Sequence, residues 1–242
     1  MKHLVLIPTY NTGARVLQTV EEAKREWQPV WVVVDGSTDG TAEALLARQD
    51  AALRVMVLER NQGKGAAVLH GLRAAREAGY THALVMDADG QHPAARIREF
   101  MAASQANPDA QILGVPVFGA DAPLERVLWR KMSNFWVDLE TVWRGVGDSL
   151  FGFRVYPIAP LVEIMGSSRW MRRFDFDAEA AVRLCWRGVR PINIAVPVRY
   201  LSAADGGVSH FRYLRDNLLL TWMHTRLVLE ALLLRSWRRR RR

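Results

Sequence analysis

Chemistry is written most plainly in Leu84-Val-Met-Asp87-Ala-Asp89-Gly-Gln91-His92-Pro93, where an apolar run ends in two acids one residue apart. An amide, an imidazole and a proline follow. Two carboxylates and an amide oxygen on one tight turn supply the hard donors that Mg2+ or Mn2+ takes alongside water and substrate phosphates. The same spacing also describes an ordinary Asx turn that leads into a helix. The run Ala83 to Met86 reads as a buried parallel strand, and Pro93 as the first position of a helix. Both acids then stand at a strand's carboxyl end, where open α/β sheets hold their ligands.

A second candidate is Gly63-Lys64-Gly65, placed after a strand and opening a helix. Backbone N–H groups at a helix amino end, together with Lys64, can face a phosphate. The pattern lacks the third glycine of a dinucleotide fingerprint, and Gly65 stands where a Walker loop needs Ser or Thr. A hydride-transferring dehydrogenase is therefore a rival reading, as is a plain loop-to-helix junction. A third candidate is Asp175-Phe-Asp177-Ala-Glu179 at a helix start, where acids also suit the helix dipole. Asp177 and Glu179 are two apart, so one helix face cannot present both.

The elements that must position these groups alternate along the chain. Strands are expected at His3–Pro8, Val30–Val34, Leu53–Leu58 and Thr81–Met86. Helices follow at Val16–Trp27, Ala42–Arg48 and Lys64–Ala78. Continuous apolar strands alternating with helices specify a mostly parallel, doubly wound α/β sheet. Further on, a helix to Ala106, a strand at Ala110–Val117 and a helix at Leu124–Arg144 are expected. A turn and strand over Asp148–Pro157 and a helix from Phe174 to Gly188 come next. The last strand, Val189–Val198, contains Pro191 and Pro197 and reads as a sheet edge. A polar loop, Ser202 to Ser209, then precedes a final helix, Leu214–Trp237. The division expected is one catalytic domain over residues 1–212, then an amphipathic helix and basic tail over 213–242.

Composition bounds the alternatives. The chain has 242 residues and a net charge of +8, six of whose positives are Arg235 and Arg238 to Arg242, which leaves +2 for the rest. A near-neutral body argues against a specific nucleic-acid surface, while the tail suits an anionic membrane surface or another polyanion. One cysteine, Cys185, excludes a disulfide framework and a cysteine-rich zinc site and reads as a buried small residue. No signal peptide or membrane-spanning run is read, so a cytoplasmic protein is expected.

Taken in order, Pro8-Thr-Tyr-Asn11, Val33-Val-Asp-Gly-Ser-Thr-Asp-Gly-Thr41, Asn61-Gln-Gly-Lys-Gly65 and Asp87-Ala-Asp-Gly-Gln-His-Pro93 resemble family 2 glycosyltransferases. Within that family the likeness is to the dolichyl-phosphate mannosyltransferase and polyprenyl-phosphate sugar transferase branch. It continues through Asp148–Arg154, Phe176-Asp-Ala-Glu179 and Val196-Pro-Val-Arg-Tyr200. The resemblance implies a GT-A fold, a nucleotide-diphosphate sugar donor, a divalent cation (Mg2+ or Mn2+) and inversion at the anomeric carbon. It implies that Pro8, Tyr10 and Asp35 line the nucleotide pocket, with Asn11 and Lys64 as further substrate-binding candidates. It implies Asp87, Asp89 and Gln91 as metal ligands, Asp89 being also a catalytic candidate. The chain departs from the family's pattern at Val34, Thr12 and Phe151, where an acid, an acid and a serine are usual.

In that branch the acceptor is a lipid phosphate, which needs no general base. Cations should then gather near the sugar, and Arg130, Lys131, Ser133 and Arg154 are the candidates, the arginines favoured because guanidinium grips phosphate bidentately. A hydroxyl on another lipid or envelope intermediate would instead need a base, and Asp177 is placed for it, with Glu179 nearby. A non-catalytic nucleotide-sugar-binding module is the remaining alternative. His92 could contact the diphosphate or cap a helix, and His210 could be a substrate contact or structural. The last helix reads either as an interfacial helix, with Trp222, Trp237 and Leu side chains at the headgroup boundary and arginines on anionic lipid, or as a helix packed on the core. The chain is thus expected at the cytoplasmic face of a membrane, held peripherally.

Overall fold

The four apolar runs of the amino-terminal half become parallel strands: β1 (His3–Thr9), β2 (Val30–Asp35), β3 (Leu53–Leu58) and β4 (His82–Val85). The computed structural model describes residues 1–118, 124–197 and 213–240. With β5 (Ala110–Val117), β6 (Arg154–Pro157) and β7 (Arg190–Pro197) they form one seven-stranded sheet, ordered β3-β2-β1-β4-β6-β5-β7. The sheet is mixed, because β6 runs antiparallel to both β4 and β5. β7 lies at an edge, parallel to β5, where its two prolines are tolerated.

Alternation along β1 explains why it is buried throughout. Val5 and Ile7 pack with α1 (Ala14–Glu26) and α4 (Ile97–Ala106) on one face. Leu4 and Leu6 pack with α3 (Lys64–Glu77) and α6 (Ile158–Gly166) on the other. Successive strand residues point to opposite faces. A strand covered on both sides therefore has to be apolar at every position, and each such side chain contributes roughly 1.5–3 kcal/mol. The short α2 (Thr41–Leu46) completes the first face, burying Leu45.

Two local expectations need correction. Pro93 is extended and precedes a short 3-10 turn, Ala94–Arg96, so α4 begins only at Ile97. His92, which folds back under the acid turn, fixes the chain there before the helix can start. α6 has no counterpart among the expected elements. It is buried at Ile158, Leu161, Val162, Ile164 and Met165, so it shows little polar face from which a helical period could be read.

A third apolar cluster joins α5 (Leu124–Thr141), α7 (Phe176–Trp186) and α8 (Tyr213–Arg240) through Val137, Val182, Cys185, Met223 and Leu227. α8 therefore packs on the body along one stripe. Its other side exposes Leu218, Trp222, Leu229, Leu232 and Leu233. The expected loop over 202–209, and His210 with it, lie outside the described residues.

Candidate active site

β4 delivers the chain to the acid turn, and the turn is held from within. His92 is buried, and its Nδ1 accepts the backbone N–H of Asp87 at 3.0 Å. Nε2 is then the protonated nitrogen, 3.7 Å from Asp87 Oδ2. Phe151 and Phe153 meet the imidazole edge-on, with centroids 4.7 and 5.5 Å away. Burial lowers the His92 pKa, and its position makes it the clasp of the turn. Gly90 turns the chain at a φ of +74°, and Asp89 Oδ1 accepts the Gln91 N–H at 3.0 Å.

Lys64, the first residue of α3, reaches into this turn. Its Nζ lies 2.6 Å from Asp87 Oδ1 and 2.7 Å from Asp177 Oδ2. Burial works against the ammonium, but the two carboxylates outweigh it and raise the Lys64 pKa. Asp87 is opposed by burial too, and Lys64 and His92 nevertheless hold its carboxyl below the usual range. Asp89 differs: burial and the neighbouring Asp87 charge both push its pKa up. Gly152 closes the arrangement, since a Cβ there would lie 2.7 Å from Asp87 Oδ2 and 2.8 Å from Lys64 Nζ.

Part of the backbone beside Lys64 is engaged by the protein itself, although Gly63 and Lys64 line the cavity. Asp35 is buried, and its two oxygens accept the N–H groups of Gln62 and Gly63, each at 2.8 Å. The Ala66 N–H goes to Arg172 O at 3.1 Å. Gly65 is small because the loop before α7 presses on it: a Cβ would meet Met171 O at 2.2 Å. Gly65→Ala should therefore cost several kcal/mol, as overpacking against backbone does (about 1–3 kcal/mol or more), and thermal melting would register it. Asp35 borders the cavity as expected, but its carboxylate is committed to the loop.

Asp177 is buried at the start of α7, and its Oδ1 has no partner among the described residues. Glu179 points elsewhere, as the two-residue spacing requires. It is fully buried against Arg183 at 2.6 Å and Arg226 of α8 at 2.5 Å, so it is a structural ion pair and does not line the site. Arg154 is likewise corrected. It is 0% exposed, and its guanidinium donates to the backbone oxygens of Phe151, Asp148 and Asp177 and to the Tyr156 hydroxyl. Such a guanidinium, unexposed and with four of its five N–H groups given to the protein, props up the wall behind Asp177 and does not line the cavity. Asn11 also stands behind the site, its Oδ1 accepting the Thr38 N–H at 2.8 Å.

What remains converges on one cavity of about 880 Å3, lined by Pro8, Tyr10, Lys64, Asp87, Asp89, Gln91 and Asp177 on the sheet side. Arg130 and Ser133 of α5 line it too, and Arg130 is held by Asp148 at 2.6 Å. Lining residues that were not expected include Arg173, Arg215 and His224. Arg173 precedes the acid-rich start of α7 and could have been noticed there. His224 lies within α8, and only the packing of α8 on α5 brings it to the cavity.

The donor set suits a hard divalent cation. Asp87, Asp89 and Gln91 share one turn and one cavity, and burial together with the Asp87 charge raises the Asp89 pKa. Among the described residues no group of three or more His, Cys, Asp or Glu could hold a metal ion by itself, so a cation at this turn would take its remaining ligands from water and substrate phosphate.

The fold and site define a GT-A class α/β transferase, a mixed sheet with an acid turn after its fourth strand. The glycosyl transferase family 2 model matches residues 4–177, and the chain belongs to that family and is a glycosyltransferase. It is 30% identical over 197 residues to polyprenol monophosphomannose synthase of Mycolicibacterium smegmatis, an alignment covering 77% of this chain and 71% of that protein. It is 36% identical over 101 residues to undecaprenyl-phosphate mannosyltransferase of Micrococcus luteus, covering 38% and 40% of the two. In fold it is similar to glucosyl-3-phosphoglycerate synthase from Mycobacterium tuberculosis, solved with Mn2+, uridine diphosphate and glucosyl-3-phosphoglycerate. That similarity has a TM-score of 0.62 at 18% identity, over 97% of this chain and 79% of that one.

Proposed function

We propose that this enzyme moves a sugar, with inversion, from a nucleoside-diphosphate sugar to a polyprenyl phosphate at the cytoplasmic face of a membrane. The observation that carries the reading is a single cavity shared by three kinds of wall. The acid turn lines it with Lys64 and Asp177, cations line it at Arg130, Arg173 and Arg215, and apolar groups line it at Met132, Trp136 and Leu220. Relatives named for mannose transfer to polyprenol and undecaprenyl phosphate support the acceptor class. The solved neighbour with Mn2+ and uridine diphosphate supports the donor and cation.

In the transfer, the bond from the anomeric carbon to the donor diphosphate breaks and its electron pair leaves with the diphosphate. An oxygen of the acceptor phosphate forms the new bond from the opposite face. An ionised phosphate gives up no proton, so this route needs no general base. A divalent cation held by Asp87, Asp89 and Gln91 would neutralise the charge that grows on the leaving diphosphate. Lys64 holds Asp87 and Asp177 in place, and Tyr10 and Pro8 border the donor side of the cavity.

A hydroxyl acceptor, with Asp177 as base, is the second reading, favoured by the unpartnered Oδ1 of that residue. Asp177→Asn separates the two. With a phosphate nucleophile kcat should fall less than tenfold, whereas loss of a general base costs roughly 10²–10⁴. A collapse of kcat with donor binding intact would transfer the assignment to the hydroxyl.

Peripheral membrane contact is supported by exposed apolar groups on α5 and α8 and just after α5. Phe135 of α5, Trp143 beyond its end, and Leu218, Trp222, Leu229 and Leu233 of α8 are all exposed, and the arginine run follows. Among the described residues no helix is long and apolar enough to cross a membrane. The decisive experiment is a thermal-shift screen of nucleotide sugars with Mg2+ or Mn2+, then transfer to a short-chain polyprenyl phosphate. Donor binding should raise the melting temperature. No stabilisation by any nucleotide sugar and no transfer would overturn the reading.

A further inference from the structure

The two acids of the turn stand in different company. Among the described residues Asp89 has no cationic partner, and its carboxylate accepts only the Gln91 N–H. Asp87 is met on both oxygens. Lys64 Nζ stands 2.6 Å from Oδ1, and His92 Nε2 stands 3.7 Å from Oδ2. A divalent cation ligated by Asp87 Oδ1 would set two cations on one oxygen in a part-buried place, where their repulsion is poorly screened. Lys64 therefore competes with any such cation for Asp87.

The fold also supplies somewhere for the ammonium to go. Lys64 Nζ donates to Asp177 Oδ2 at 2.7 Å, while Asp177 Oδ1 is buried with no hydrogen-bond partner among the described residues. A buried carboxylate oxygen without a donor is costly, and an ammonium carries three N–H groups. On leaving Asp87, Lys64 can keep Oδ2 and give a second N–H to Oδ1. Its third N–H is then free for a ligand in the cavity that Lys64 lines. Gly152 keeps the space beside Nζ clear, since a Cβ there would lie 2.8 Å from it.

We propose that Lys64 is an exchangeable counter-ion that couples cation binding to donor binding. It neutralises Asp87 until a nucleoside diphosphate and a divalent cation arrive together. Lys64 then moves fully onto Asp177 and turns its free N–H to the diphosphate. A cation alone has to displace Lys64 with no anion to receive the freed donor, and a diphosphate alone finds Lys64 still committed to Asp87. Each is therefore bound weakly by itself, and the pair tightly. The proposal rests on the reading above that the acid turn holds the donor's cation. Cation and diphosphate must then tighten one another's binding by the same factor.

Mn2+ binding to the full chain would be followed by the loss of its free electron-spin resonance signal, alone and with UDP or GDP. Wild type, Lys64→Met and Lys64→Gln would be compared, and calorimetry would give each diphosphate's affinity with and without Mn2+. The Gln variant keeps a neutral donor between the two carboxylates and covers the case in which the Met variant does not fold. Couplings between sites run to roughly 5–150-fold, so removing the competitor should tighten binding of Mn2+ alone by about tenfold or more. Diphosphate affinity in Mn2+ should fall by a similar factor, because the freed N–H is gone. A Lys64 that acts only as a fixed charge would also repel Mn2+, but its loss would leave diphosphate affinity in Mn2+ unchanged. That result would overturn the exchange, as would unchanged or weakened binding of Mn2+ alone in the folded variants, which would make Lys64 a prop for Asp87. No Mn2+ binding by wild type with either diphosphate would instead overturn the reading of the acid turn as a cation site, and the exchange with it.

Discussion

Replacing Asp89 with Ala should abolish transfer while leaving the melting temperature within a few degrees of wild type. Among the described residues Asp89's carboxylate accepts one hydrogen bond, from the Gln91 N–H, and has none to the core. Burial and the Asp87 charge already raise its pKa, so removing it relieves repulsion in the folded state. What is lost is half of the carboxylate pair proposed to hold the cation. Charge stabilisation by such a cation is worth several kcal/mol, so a rate loss on the order of 10³ or more is expected. Asp87→Ala makes an instructive control. It would leave Lys64 with only Asp177 as a counterion and should damage both stability and activity. Turnover of Asp89→Ala within tenfold of wild type, or full wild-type activity in EDTA, would remove the acid turn from the mechanism.

The contrast between these two acids shows what the sequence could and could not carry. Local pattern located both, because an apolar strand ending in Asp-x-Asp needs no knowledge of the rest of the chain. It also placed the sheet, since strands buried on both faces are apolar at every residue and α1 and α3 alternate clearly with them. Lys64 was visible as a cation near a strand's end, but its partners lie 23 and 113 positions away, beyond the reach of any local period. The glycines beside it could face a phosphate or simply join loop to helix on sequence alone, and only the fold shows that Met171 and Arg172 press on them. Arg154 and Glu179 failed for a related reason. A charged residue in a motif is ambiguous until burial is known, and both turned out to be fully buried with protein partners. His224 and Glu140 were illegible because their pairing depends on how α8 docks, which neither helix encodes alone.

That docking makes the second large effect expected. Arg226→Ala should lower the melting temperature by roughly 6–12 °C, taking about 3 kcal/mol for a buried carboxylate that loses a partner and about 2–4 °C per kcal/mol in a chain of this size. Glu179 is 0% exposed, with Arg226 on its Oε2 at 2.5 Å and Arg183 on its Oε1 at 2.6 Å. Arg183 remains in the variant, which is why the lower end of the range for breaking a buried pair applies. Cation–π contact of Arg226 with Trp170, at 4.6 Å, would be lost as well. Removing Arg238 to Arg242 should behave oppositely. The melting temperature should hold, while binding to anionic liposomes weakens, each arginine near such a surface contributing about 1 kcal/mol before screening. That loss should shrink with salt, because exposed charges are screened beyond roughly 8 Å at physiological ionic strength. Thermal melts of both variants, with co-sedimentation on anionic and neutral vesicles at two salt concentrations, check the pair. An unshifted melt in Arg226→Ala would mean that α8 is not held by its ion pairs. Equal pelleting of the intact and shortened chains on anionic vesicles at low salt would rule out an electrostatic anchor. If both effects appear as expected, α8 has two separable duties: its inner stripe completes the cavity wall, and its outer face with the arginines meets the lipid.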